Sequence, residues 1–135
     1  MKKLLFAFTA FLLFSCSNSD DDNGSNSSNS DFHPPAWIQG TWIQEGSTAS
    51  INNGFSFSSS DLCTLLLTTE QCQKGLIDLI RKSGQAVTVN ETITSTSYTA
   101  KITYYGGQSV TYSFRKLSNT SIEYMAVSGS VFIKQ

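Results

Sequence analysis

The sequence predicts a mainly β domain with a short helical insertion, a small antiparallel barrel or half-barrel capped by a helical hairpin. Three observations lead there. From Val87 onward, apolar residues alternate with Ser and Thr, the period-two pattern of half-buried strands. Turn signals rich in Gly, Asn and Ser punctuate that alternation at short intervals. One stretch, residues 60–83, breaks it with apolar residues at helical spacing.

The chain of 135 residues divides into three parts. Residues 1–15 read as a signal peptide. Lys2 and Lys3 precede Leu4–Phe14, an apolar run that suits a signal h-region, whereas a bilayer span takes about 20 residues. Residues 16–35 read as a tether. Every residue from 17 to 30 is Ser, Asn, Asp or Gly, so none of them buries apolar surface. A chain of that length has a root-mean-square span of about 20 Å. Asp31–Pro35 closes the tether, with Pro34-Pro35 as a stiff junction and His33 as a solvated linker residue. Residues 36–135 are left for the fold, enough for one modest core.

Within the domain, Trp37–Trp42 reads as the first strand, with Trp42 in the core and Trp37 on the other face. Ile51, Phe55 and Phe57 share one parity and suggest a second strand, with a turn or bulge at Asn53-Gly54. In the helical segment about 60–83, Cys72, Leu76, Leu79 and Ile80 recur at helical spacing. Asp61 near its start, Arg81 and Lys82 near its end and Gly84 beyond suit helix polarity. Thr68-Thr69 divides the segment into two short helices. Cys63 and Cys72 lie about 13.5 Å apart in one straight helix, too far for a bridge. If the arms fold back at Thr68-Thr69 they meet. An oxidising compartment then favours a Cys63–Cys72 disulfide over two buried thiols.

Val87, Val89 and Ile93 are odd, whereas Tyr98, Ala100, Ile102 and Tyr104 are even, which requires a turn or bulge at Ser95–Ser97. Val110, Tyr112 and Phe114 are again even. An even parity on both strands selects an odd loop, Gly106-Gly107-Gln108, pairing 104 with 110 and 102 with 112. Ile122, Tyr124 and Ala126 keep the parity after a Ser118–Thr120 turn, with Tyr124 opposite Tyr112. Val131 and Ile133 form the last strand.

Three short motifs carry resemblances to known families. Leu13-Phe14-Ser15-Cys16 resembles a bacterial lipobox, which implies cleavage before Cys16 and acylation of it. Several acyl chains give stable membrane attachment. Asp20-Asp21-Asp22 looks like the surface-export signal of Bacteroidetes-type lipoproteins; the other reading is a solubilising charge run. Gly40-Thr41-Trp42 resembles the G-x-W signature of lipocalin-like proteins. That resemblance implies a strand bend at Gly40, a barrel-closing role for Trp42 and a small lipocalin-like domain carried by an outer-membrane lipoprotein, at the cell surface or facing the periplasm.

The charges narrow the function. Nine Lys plus Arg face ten Asp plus Glu. Without Lys2 and Lys3 no basic excess is left for phosphates, which disfavours nucleic acid. A single histidine excludes His-based triads and multi-His metal sites. No metal and no cofactor is expected. Glu45, Glu91 and Glu123 are scattered and read as solvent-facing, and no nucleophile or phosphate-loop motif occurs, so an enzyme is not expected. Tyr104, Tyr112 and Tyr124 share the inward face and suggest a polar-aromatic pocket; the other reading is a tyrosine-rich core. The expected function is a binding module for a small apolar or amphipathic ligand. The alternative is a non-catalytic subunit that docks another envelope protein.

Overall fold

The computed structural model describes residues 31–47 and 53–135. The signal peptide, Cys16, Asp20–Asp22 and Ile51 lie outside these residues. One antiparallel sheet contains β1 (Gly40–Gln44), β2 (Asn53–Phe57), β3 (Leu62–Leu66), β4 (Thr69–Cys72), β5 (Val87–Ile93), β6 (Ser97–Tyr104), β7 (Ser109–Lys116), β8 (Ser121–Tyr124) and β9 (Val131–Lys134). Their order is β4-β3-β2-β1-β9-β8-β7-β6-β5. Helix α1 (Gln73–Lys82) connects the two edge strands, β4 and β5.

The sheet is curled into a half-barrel. β2 and β7 are four places apart in the order, about 19 Å in a flat sheet. Yet Phe114 of β7 lies 4.8 Å from Phe55 and 5.0 Å from Phe57 of β2, ring centre to ring centre. Phe57 also reaches Tyr98 of β6, at 6.1 Å. These rings meet edge to face, the arrangement their quadrupoles favour. Trp42, Leu62, Ile77, Ile102 and Ile122 complete the core.

The connections sort by end. Those between β2 and β3, β5 and β6, and β7 and β8 lie at the end where β1 begins. Those between β1 and β2, β3 and β4, β6 and β7, and β8 and β9 lie at the opposite end. The first end is closed by the segment before β1. Phe32 and Ile38 are fully buried in the core. The Arg81 guanidinium donates to both oxygens of Asp31, at 2.6 and 2.9 Å, and to the carbonyl of Val87. Residues 31–35 therefore belong to the domain, not to the tether, and the domain boundary at 36 is corrected. An isolated Phe between polar residues gives no periodic signal, so its burial is invisible locally.

The segment 60–83 is not a helical hairpin. Its first half forms the β3–β4 hairpin, with Leu67-Thr68 as a two-residue turn, and only Gln73–Lys82 is helical. Leucine has a high helix propensity, but β3 gains a full ladder against β2, and tertiary pairing overrides propensity. The cysteines bridge as a directly opposed cross-strand pair, Cα atoms 3.9 Å apart. Asp61 still serves the helix. Its Oδ1 accepts from the Lys74 N–H at 2.9 Å, satisfying a first-turn donor that Cys72 leaves uncapped. Gly84, at φ +85°, ends the helix as expected.

Three further readings change. Strand β1 starts at Gly40, because residues 36–38 form a turn closed by Ile38 N–H to Pro35 O at 3.0 Å. The β6–β7 loop has three residues, but they are Tyr105-Gly106-Gly107. Ile102 faces Val110 and Ala100 faces Tyr112, a slide of two residues that parity alone does not detect. Both glycines sit at positive φ, so both must lie inside the loop. Ala126 is in the turn after β8, and the buried residue of β9 is Phe132, flanked by Val131 and Ile133. The turn at 118–120 is where the sequence places it, and the one expected at Ser95–Ser97 spans 94–96, with Ser97 already in β6.

Candidate functional site

At the open end the aromatic core stops short of the rim. A cleft of about 420 Å³ lies on the concave side of β2, β3 and β4. The register explains its wall. Phe55, Thr64 and Gln71 form one cross-strand row on the inner face, and Asn53, Leu66 and Thr69 form the next row toward the rim. Leu67 completes the lip. The floor is apolar, while Asn53, Thr64, Thr69 and Gln71 supply amide and hydroxyl groups around it. A mostly apolar concavity with a few polar groups suits a small amphiphile.

The three tyrosines chosen from the sequence lie on the opposite wall, and all pack against the core. Tyr124 faces Phe114, not Tyr112, and its ring lies 5.0 Å from Phe55, the cleft floor. Tyr104 faces Val87. The phenols feel one another. Burial raises Tyr112, and the charges of Tyr124 and Tyr104 raise it further. Burial also raises Tyr124. None of their hydroxyls bonds to another described residue, and none is both buried and unpaired. None of the three lines the cleft; Tyr124 reaches it only through its ring contact with Phe55. The cleft's main wall, Thr64 to Gln71, falls in the stretch read as helix. One signal marks it: Cys63 and Cys72 are equidistant from Leu67-Thr68, as expected for a bridged hairpin.

The closed end holds a different cluster. Glu91 is not solvent-facing. Its carboxylate accepts from the His33 N–H at 2.8 and 2.9 Å, lies 3.0 Å from His33 Nδ1, and accepts from the Tyr98 hydroxyl at 2.7 Å. Burial, then the bond to Glu91, pushes the Tyr98 phenol far above its ordinary range. His33 is thus a docked residue whose ring edge stays exposed. This arrangement fastens the closing segment to β5 and β6. Trp37 does the same, donating to the carbonyl of Thr94 at 3.1 Å. Glu123 pairs with Arg115 across β7 and β8, while Glu45 remains exposed.

Gly40 and Trp42 behave as one unit. The Trp42 indole is fully buried and donates to the carbonyl of Ile38. Lys134 of β9 lies over its ring, Nζ 5.2 Å from the centre. A Cβ at Gly40 would come within 3.0 Å of the Lys134 chain, so the glycine leaves room for that cation. Among the described residues, Asp61, Cys63 and Cys72 are the one group with metal-ligand proximity. Its two sulfurs are bonded to each other and do not offer thiolates.

No protein family, curated protein or solved structure matches this chain.

Proposed function

We propose that this chain is a binding module for a small apolar or amphipathic molecule, held at the outer membrane through an acylated Cys16. The observation that carries the reading is the open cleft over Phe55, apolar at its floor and polar at its sides. A ligand's hydrocarbon part would lie along Phe55 and Leu66, and its polar end would meet Asn53, Thr69 and Gln71. Neither the cleft nor the Glu91 cluster combines a nucleophile with an oriented base, so binding without chemistry fits the residues present.

The test is fluorescence titration of the full chain with N-phenyl-1-naphthylamine, followed by displacement with palmitic acid. Thr64→Trp fills the cleft from its wall and is expected to weaken probe binding by about tenfold or more while the circular dichroism is kept. Equal binding by the variant, or none by the parent chain, refutes the assignment.

A further inference from the structure

The exposed large apolar residues are not spread evenly. Six of them lie at the open end, on three separate turns: Leu66 and Leu67 between β3 and β4, Tyr105 and Val110 around the β6–β7 turn, and Met125 and Val127 between β8 and β9. Tyr105 is 76% exposed and Leu66 61%. Residues 66–69, 105–109 and 125–130 contain no Asp, Glu, Lys or Arg. The charged groups sit elsewhere: Asp61 between β2 and β3 at the closed end, Glu91 with His33 within β5, the Asp31–Arg81 pair beside the start of β5, and Glu45 just after β1.

One tip is held against its conformational preference. Leu67 adopts φ 57°, in a two-residue turn where Gly or Asn would sit without strain. Its side chain is half-exposed, so burial in the core does not repay that strain. A hydrophobe kept at such a position points to contact with something outside the domain.

We propose that this open rim docks on a lipid bilayer, with the three turns entering the headgroup region. Separate convex tips, aliphatic with one aromatic ring and free of charge, match a fluid interface that needs no shape complementarity. A protein partner would call for a continuous packed patch with Arg and other charged groups at its rim, whereas these turns carry no charge and only Ser, Thr and Gln as polar groups. The chain outside the described residues permits the geometry. The described chain begins at Asp31, which Arg81 ties to Val87 at the start of β5, beside the β6–β7 turn, and the polar stretch 17–30 measures up to about 50 Å when extended. The longest strands rise only about 27 Å. A chain anchored at Cys16 therefore allows the open rim to reach the same membrane. The inference rests on the tips, not on occupancy of the cleft; if both hold, the cleft opens onto the bilayer.

The test uses the chain from Ser17 onward, which carries neither the apolar leader nor an acyl anchor. A nitrobenzoxadiazole probe is attached through Tyr105→Cys at the open rim, or through Asn119→Cys at the closed end. Vesicles of phosphatidylethanolamine and phosphatidylglycerol carry a spin-labelled lipid quencher. The probe at 105 is expected to be quenched and the probe at 119 not. Leu67→Gly, which relieves the strained turn, is expected to keep the urea midpoint at or above the parent value and to weaken vesicle partition by about tenfold. Equal quenching at both sites, quenching at neither, or unchanged partition of Leu67→Gly overturns the proposal. So does shielding of the 105 probe without vesicles at twice the monomer mass, which assigns the rim to a second copy.

Discussion

Phe32→Ala separates a domain that begins at Asp31 from one that begins after the prolines. Phe32 has no exposed surface and belongs to the central core cluster. Truncating a buried Phe removes its transfer free energy and leaves a cavity, together about 3–5 kcal/mol. A solvated linker residue would change stability by no more than about 0.5 kcal/mol. The expected loss is a large fraction of the roughly 5–15 kcal/mol that holds a small domain together, and lowers Tm by about 15–25 °C. The assay is urea unfolding of the full chain followed by tryptophan fluorescence. The midpoint should fall at unchanged slope, because the surface exposed on unfolding is nearly the same. Phe32→Leu, which keeps most of the volume, should cost about 1–1.5 kcal/mol. A Phe32→Ala midpoint within error of the parent refutes the claim that this segment is part of the folded domain.

Glu91→Ala leaves the fully buried Tyr98 without its acceptor and frees the His33 backbone, so a loss of about 1–3 kcal/mol is expected in the same assay. Tyr98→Phe in that background should recover part of it, since no hydroxyl is then orphaned. Reducing the Cys63–Cys72 bridge, a closure of sequence separation 9, should cost about 2.7 kcal/mol by the chain-entropy argument, read as a lower urea midpoint in dithiothreitol. The folded state also carries an alkaline limit. Burial raises the Tyr98, Tyr112 and Tyr124 phenols above the 10.0 expected when unfolded. Their protonated forms therefore stabilise the fold fully below about pH 10, and that contribution is lost as the pH rises through the folded values. Urea midpoints should decline above about pH 10, and Tyr98→Phe should flatten the decline.

Much of the fold was legible because a half-buried strand writes its own pattern. Val87–Ile93, Ser97–Tyr104 and Ser109–Lys116 alternate cleanly, and the parity change between the first two places their turn. The same rule has a period of two, so it could not exclude the slide that puts Ala100 opposite Tyr112. Propensity misread Leu62–Leu66, because leucine favours a helix until a neighbouring strand offers a ladder. The cleft was missed for that reason, since its wall is this hairpin. Glu91 and His33 are 58 residues apart, and no local pattern links them.

By itself the sequence determined the antiparallel β class, the presence of turns after β5, β6 and β7, the end of the helix at Gly84 and the pairing of the two cysteines. These follow from alternation, backbone freedom and the even count left once Cys16 is assigned to lipid, all of which are local or arithmetic. Only the tertiary structure decided that Phe32 is buried in the core and His33 docks on Glu91, that Lys134 covers Trp42, and that an apolar cleft and six exposed side chains share the open end. Those facts depend on how far the sheet curls and which edges meet, and curvature is set by contacts between residues distant in the chain.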